Sequence, residues 1–399
     1  MKKGIVLVAL MLASALLSLL DVLDAPAAAL AAEREARAGA SETARCADVA
    51  ALDGTFVQLT TAAATRPREE WERLFADLAA LGIEEIFLQW TSADGVAFYE
   101  ASAASNASGA DDAACGSDAP STGGAAGASD QLAARHAVGT PGGAVDLVLE
   151  LAERHGQRVW LGLAHDAGWW AGIDRARPAN EVEVFLARRR LANLAVARAL
   201  AARAARTPAF AGWYVPDEVD DKNWLGEERG SLLATYLTQL ADGLRELVPG
   251  APVAVSGFAQ GWATPEQLAH LWSAAASRAG LSLVLLQDGV GVRKLTLEDL
   301  EVYLPPLRAA LAGTTARLGV VVELFTERTG EGGAEAKTFV AVPAPLERIE
   351  RQLAVARRFA TGPLVAFSAP DYMSPFGGAE AERLFEDYRA LRERCASSR

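Results

Sequence analysis

Short apolar runs alternate with segments of helical period along most of this chain. Runs of strand length fall at Thr55–Leu59, Glu85–Trp90, Arg158–Leu163, Ala209–Val215, Pro252–Gly257, Ser282–Gln287, Arg317–Leu324 and Pro363–Ser368. Most are β-branched or aromatic in character and have turn residues at an end, which marks strands. Trp71, Leu74, Phe75, Leu78 and Leu81 instead recur at helical spacing, as do Leu233, Tyr236, Leu237, Leu240 and Leu244, and then Leu384, Phe385, Tyr388 and Leu391. That spacing gives each helix one apolar face. Pro265 and Pro345 stand where a first helical turn begins, a position that has no use for a backbone N–H.

Strict alternation of strand and helix predicts parallel strands joined by helical crossovers. Eight such units close naturally into an α/β (β/α)8 TIM barrel, here a single domain over residues 53–393. The alternative, an open doubly wound sheet, usually carries a glycine-rich phosphate loop after its first strand, where this chain has Leu59-Thr60-Thr61-Ala62. Residues 101–143 interrupt the rhythm with Ala, Ser, Gly and Asp. Such a segment cannot bury a core and predicts a disordered insert after strand two, hanging over the C-terminal face as a lid or as a passive loop.

The amino terminus predicts export. Lys2 and Lys3 precede an uncharged apolar run of 16 residues, Ile5–Leu20, and A-x-A patterns follow at Ala27–Ala29 and Ala29–Ala31. This is the layout of a signal peptide over 1–32, followed by a polar leader over 33–52. An uncleaved anchor is the alternative, although the run falls short of the ~20 residues that span a bilayer. A periplasmic or secreted location is expected, with no stable membrane insertion after cleavage. Export supplies an oxidising compartment. Cys46 lies just before strand one and Cys395 just after helix eight, so barrel closure would bring them together as a disulfide, leaving Cys115 in the insert.

The formal net charge is −13, from 51 acidic and 38 basic residues. Removing residues 1–32 takes away Lys2, Lys3, Asp21 and Asp24 and leaves that balance unchanged. A body this acidic repels phosphate backbones and excludes nucleic acid as an expected partner. Only four histidines are present, no zinc-ligand spacing or G-x-S-x-G elbow occurs, and neither a metal nor a cofactor is expected.

In a barrel enzyme the chemistry sits at the C-terminal ends of the strands. Those positions hold Gln58, Gln89, Trp90, Asp166, Tyr214, Asp217, Trp224, Gln287, Asp288 and Tyr372, with the tandem Trp169-Trp170 after strand three. Amides and carboxylates among indoles and phenols suit a sugar, whose ring faces stack on aromatics and whose hydroxyls need polar partners. Any single Trp is as readily a core residue. Glu218 and Glu323 follow or end apolar strands, where an unpaired carboxylate is costly. They belong to strands four and seven and can converge over the barrel axis. The alternative for Glu323 is a simple ion pair with Arg328.

This arrangement resembles the large clan of retaining (β/α)8 glycoside hydrolases, which implies Glu218 as the acid/base and Glu323 as the nucleophile. The clan usually has Asn before its acid/base, where this chain has Asp217. The wider sequence is similar to a bacterial glycoside-hydrolase-like family known as domain of unknown function 4434. The resembling segments are Gly54–Gln58, Phe87–Thr91, Gly212–Glu218, Gln287–Gly291 and Val322–Phe325. The resemblance implies the barrel and a carbohydrate substrate. A retaining glycoside hydrolase acting on a poly- or oligosaccharide is the expected function. A non-catalytic carbohydrate-binding barrel in exopolysaccharide or envelope handling is the alternative, and a deacetylase or lyase a weaker third.

Overall fold

The computed structural model describes residues 51–93, 95–100, 143–328 and 340–397. The expected signal peptide, nearly all of the leader, the 101–143 insert up to its last residue, Cys46 and Cys115 lie outside the described residues. Residues Ala50–Ala390 form one compact unit that holds the whole barrel.

Eight parallel strands close on themselves: β1 (Gly54–Val57), β2 (Glu85–Leu88), β3 (Arg158–Gly162), β4 (Phe210–Asp220), β5 (Val253–Phe258), β6 (Leu283–Gln287), β7 (Arg317–Glu323) and β8 (Leu364–Phe367). Each pairs with its neighbours in sequence, and β1 closes the ring by pairing with both β2 and β8, Gly54 opposing Glu85 on one side and Val365 on the other. Between them lie α1 (Arg68–Ala80), α2 (Gly143–Arg154), α3 (Ala179–Ala204), α4 (Glu227–Leu247), α5 (Pro265–Ala279), α6 (Leu297–Leu311) and α7 (Leu346–Phe359), and α8 (Ala379–Ser397) follows β8. The apolar runs and helical stripes thus fall where their periods put them. Thr264, Pro265 and Gln267 start α5 with a reciprocal capping box and a proline in the first turn.

Strand alternation divides the core into two layers. Phe56, Phe87, Trp160, Tyr214, Leu283, Leu285, Val321 and Val365 fill the barrel interior. Their neighbours Val57, Leu88, Leu161, Val284, Leu286 and Val322 face the helices. Period two in sequence becomes inside and outside in space. Trp160 fits inside because β4 has no side chain at Gly212, where a Cβ would meet the indole at 2.6 Å. The indole Nε1 of Trp160 donates to Glu85 at 2.8 Å, which satisfies both groups at the closed end of the barrel.

One strand departs from its expected length. β4 continues past Val215 to Asp220, and its register against β5 shifts: Val215 opposes Val255, and the next pair is Val219 with Gly257. Pro216, Asp217 and Glu218 thus stand against Ser256 alone and form a bulge. Proline has no N–H for the ladder and sits naturally at its start. Bulges of this kind re-aim side chains at the rim of a barrel. Two small sheets also follow the C-terminal strand ends. One joins Ser92–Ala93, Val96–Ala97 and Ala164–His165, and the other pairs Phe325–Glu327 with Ala341–Pro343. They are too short to leave a pattern in the sequence.

Candidate active site

The C-terminal ends of β1 and β2 run in register, with Val57 opposite Leu88. The next residues are therefore neighbours, and Gln58 Nε2 donates to Gln89 Oε1 at 2.6 Å. Trp90 follows, its Nε1 donating to the Leu59 carbonyl at 2.6 Å and its ring centroid 4.5 Å from that of His165. Across the barrel, Gln287 at the end of β6 donates from Nε2 to Glu218 Oε1 at 2.7 Å. Tyr214 lies in the inner core near Glu218, its hydroxyl 2.7 Å from Ser256 Oγ. Burial and the Glu218 charge push the phenol far above its ordinary range.

Glu323 ends β7 and is only 5% exposed. Its Oε2 accepts the backbone N–H of Val292 at 2.9 Å, and the N–H of Gly291 also bonds to it. These donors come from the loop after β6. Gly291 is needed there: a Cβ would meet Glu323 Oε2 at 2.8 Å and the Phe325 carbonyl at 2.4 Å. The same loop holds Arg293 at φ 58, a conformation that costs a non-glycine residue about 1 kcal/mol or more, and presents Lys294 to the site. Arg348 donates to the Glu323 backbone carbonyl at 3.0 Å. Among the described residues no ion pair joins Arg328 to Glu323, and the guanidinium that approaches Glu323 is that of Arg348.

Electrostatics raise the proton affinity of this cluster. Burial raises the Glu218 carboxyl above its ordinary range, opposed by the Gln287 hydrogen bond and Lys294. Glu323 is pushed up to about 8, first by burial and then by the Asp288 carboxylate, against the backbone donors and Lys294. Asp288 itself is raised to about 6 by burial. Lys294 is lowered by desolvation and held up by Glu218, Glu323, Asp220 and Asp221. One ammonium therefore interacts with the carboxylates of both β4 and β7. Tyr372 stands beside this group, its ring 5.1 Å from that of Phe325, and its phenol is raised by burial, Asp371 and Glu323.

Four of the expected binding residues take other positions. Asp217 points to the helices: its Oδ1 accepts Arg189 Nη2 at 2.7 Å and Nε at 3.1 Å, and its Oδ2 accepts Asn193 Nδ2 at 2.7 Å and the Tyr236 hydroxyl. Both oxygens are used within the fold. Asp166 is tied to the same network by Arg189 at 3.4 Å and also accepts the Gly168 N–H at 2.7 Å. Trp224 is wholly buried, packed on Trp169 at 6.1 Å, and forms no wall of the mouth. Asp288 lies beneath the β6 loop, accepting Val290 N at 3.1 Å and Gln352 Nε2. It reaches the site through its field on Glu323 and by accepting the Glu323 backbone N–H at 3.4 Å.

Sequence reasoning overlooked Lys294 and the backbone donors of Gly291 and Val292. The basic pair Arg293-Lys294 just after Gly289-Val290-Gly291, in the loop that follows a strand end, is the signal that could have found Lys294. Trp169 is also part of the frame, donating from Nε1 to the Glu218 backbone carbonyl at 3.0 Å. Among the described residues no group of three or more His, Cys, Asp or Glu is placed to hold a metal ion.

Fold and site together define a (β/α)8 barrel with carboxylates at the C-terminal ends of strands four and seven. The chain belongs to the family described as Domain of unknown function (DUF4434), whose model matches residues 52–377. It is 34% identical over 203 residues to "Uncharacterized protein YbcH" of Escherichia coli (strain K12), a match covering 51% of this chain and 64% of that protein. The chain thus spans less than two thirds of that relative. Among solved structures, the crystal structure of a "putative alpha-L-fucosidase" from Bacteroides thetaiotaomicron VPI-5482 superposes with a TM-score of 0.60 at 16% identity, covering 86% of this chain and 94% of that one. At that identity the likeness is one of fold.

Proposed function

We propose that this protein is a retaining glycoside hydrolase that acts on a poly- or oligosaccharide outside the cytoplasm. The observation that carries the reading is the pair Glu218 and Glu323, presented by β4 and β7 and linked through the field of Lys294. Glu323 is the nucleophile: backbone N–H donors aim at its Oε2, an arrangement that favours the ionised form. Glu218 is the acid/base, held by Gln287 and raised by burial so that it keeps its proton. In the first step Glu323 attacks the anomeric carbon, the bond to the leaving oxygen breaks, and Glu218 delivers its proton to that oxygen. In the second, Glu218 takes a proton from water, which attacks the same carbon and releases the Glu323 carboxylate. The adjacent Gln58 and Gln89 supply amides for sugar hydroxyls.

Export and a Cys46–Cys395 disulfide belong to the same proposal. They are supported by the sequence of residues 1–32 and the positions of the two cysteines in the chain. Mass mapping of a non-reduced digest tests the bridge, and a Cys46–Cys115 peptide would refute it.

The deciding experiment screens the purified protein against bacterial and plant polysaccharides for released reducing ends. On the substrate found, Glu323→Gln abolishes turnover and keeps sugar binding. Glu218→Gln loses activity on poor leaving groups and retains more on activated aryl glycosides. Carboxyl separation and the anomer first released decide the mechanism: about 5–5.5 Å and retention support it, about 6.5–9.5 Å and inversion do not. A second reading, a binding barrel without turnover, is favoured by one observation: a Glu323 carboxyl raised to about 8 is mostly protonated at neutral pH. Wild-type rates in both variants, or no hydrolysis of any bound glycan, would establish that reading instead.

A further inference from the structure

The loops after β3, β4, β5 and β6 bring aromatic rings and cations into contact beside the carboxylates. Trp170, 40% exposed, lies 5.6 Å from the ring of Phe258. Lys294 Nζ is 3.5 Å from the Phe258 ring centroid. Trp262, 52% exposed, has the Arg175 guanidinium at 5.2 Å and Lys222 Nζ at 5.7 Å from its ring. These two tryptophans are the only aromatic residues among the exposed large hydrophobics of the described residues.

The frame under them is fixed. Asp221 accepts the N–H groups of Gln260 at 3.0 Å, Trp262 at 2.9 Å and Ala263 at 3.1 Å, which pins the loop after β5 to the end of β4. Asn223 Oδ1 accepts the N–H of Arg175 at 3.0 Å, and Asp220 in turn holds Asn223 through two bonds of 2.9 and 2.8 Å. Exposed indoles on so constrained a backbone leave apolar area in water and add nothing to the core. Charge is sorted in the same way. Asp220 and Asp221 are buried and spend their oxygens on these loop donors. Arg175, Lys222 and Lys294 form no ion pair within 4 Å among the described residues. In a chain of net charge −13, this strip offers two exposed indoles and two cations, Arg175 and Lys222, without an ion-pair partner, while Lys294 is shared among the carboxylates of the mouth.

We propose that Trp170 and Trp262, with Arg175 and Lys222 and with the buried Phe258 ring as their support, form the binding strip for an acidic glycan, one carrying carboxylates on its sugar rings, and lead it toward Glu218 and Glu323. The inference rests on the reading of the mouth as a glycan site and names the substrate class. The pyranose faces stack on the two indoles, and the ring carboxylates meet Arg175 as a planar fork and Lys222 as a point charge. Single-stranded nucleic acid also combines stacking with negative charge. A phosphate chain carries a charge at every linkage as it passes the carboxylates of Glu218, Glu323, Asp220 and Asp221, whereas a glycan's linkage oxygens are neutral and its carboxylates can stay at the Arg175 and Lys222 end.

The test is affinity electrophoresis of the wild-type protein in gels containing polygalacturonate, alginate or hyaluronan, each beside its carboxyl-reduced, neutral form, with an oligothymidylate as a further arm. At least one polyuronate retards the protein, and its reduced form does so ~10-fold less well, as does the polyuronate at high salt. Trp262→Ala and the double variant Arg175→Ala/Lys222→Ala each weaken retention by ~10-fold. Equal retention by charged and reduced forms, retention by none, stronger retention by oligothymidylate, or variants that bind like wild type would overturn the proposal. Reducing-end release is scored separately. Retention without release removes the hydrolase and keeps the strip; release without charge dependence removes the strip and keeps the hydrolase.

Discussion

Asp217 and Glu218 are consecutive residues whose carboxylates lie on opposite sides of the barrel wall. Asp217 is taken by Arg189, Asn193 and Tyr236 of the outer helices, and Glu218 by Gln287 of β6. An extended strand sends successive side chains to opposite faces, and the bulge at Pro216 sets which face each receives. One residue is thereby committed to holding the helices on the barrel and the next to the mouth.

That division makes Asp217 a stability residue. The Arg189 and Asp217 side chains are 5% and 2% exposed, so removing one partner leaves a buried charge unpaired. Asp217→Ala should cost about 3–5 kcal/mol. Denaturant unfolding measures this, and a midpoint equal to wild type would show that the pair contributes nothing.

The pH dependence follows from the Glu323 carboxyl. With its pKa raised to about 8, mainly by burial and then by Asp288, its ionised fraction grows as pH rises toward 8, and kcat/KM on a true substrate rises with it. Asp288→Asn removes the like charge and moves this limb to lower pH, with up to about tenfold more activity at pH 7. The substitution requires the Gln352 amide to turn over, so that its Oε1, which has no partner, replaces Nε2 and accepts from the new amide. The folded state keeps the proton longer than the unfolded chain does. Stability therefore falls as pH rises from the ordinary glutamate range to about 8 and is flat above it. Thermal unfolding across that range should show a smaller decline in the variant.

Gly291 is a packing requirement of the nucleophile. Gly291→Ala drives a methyl group against Glu323 Oε2 and the Phe325 carbonyl, so the carboxylate must move. Turnover should fall on the order of 100-fold while the barrel stays folded, because displacements near 1 Å cost about that much. Steady-state kinetics beside circular dichroism separates this from unfolding.

Lys294 stabilises the ionised forms of Glu218 and Glu323. Lys294→Met should shift the acidic limb of kcat/KM to higher pH and lower activity at neutral pH several-fold. A limb at the wild-type position would mean that the ammonium is too well solvated to act on the carboxylates.

Much of the fold was legible along the chain. Eight apolar runs and their intervening helical stripes state the strands, the helices and their parallel order, because period and alternation are local properties written residue by residue. Gln58 and Gln89, Glu218 with Gln287, and Glu323 were legible too, since position at a strand end fixes which face of a barrel a residue reaches. Trp224 was not, because a loop residue's burial depends on what packs over it, here Trp169. Neither was the bulge in β4, which arises from pairing with β5 rather than from either strand alone.

The sequence by itself therefore determined the barrel, the order of its strands and the candidate carboxylates, all of which follow from periodicity and chain order. Only the tertiary structure decided that Asp217 serves the helices, that Asp288 acts on Glu323 from below, and that Lys294 stands between the two glutamates. Those outcomes depend on distances between residues 28 to 76 positions apart, such as Asp217 to Arg189, Asp288 to Gln352 and Lys294 to Glu218. Side-chain charge and hydrogen bonding act through space over a few ångströms, and spacing along the chain carries no record of them until the barrel closes.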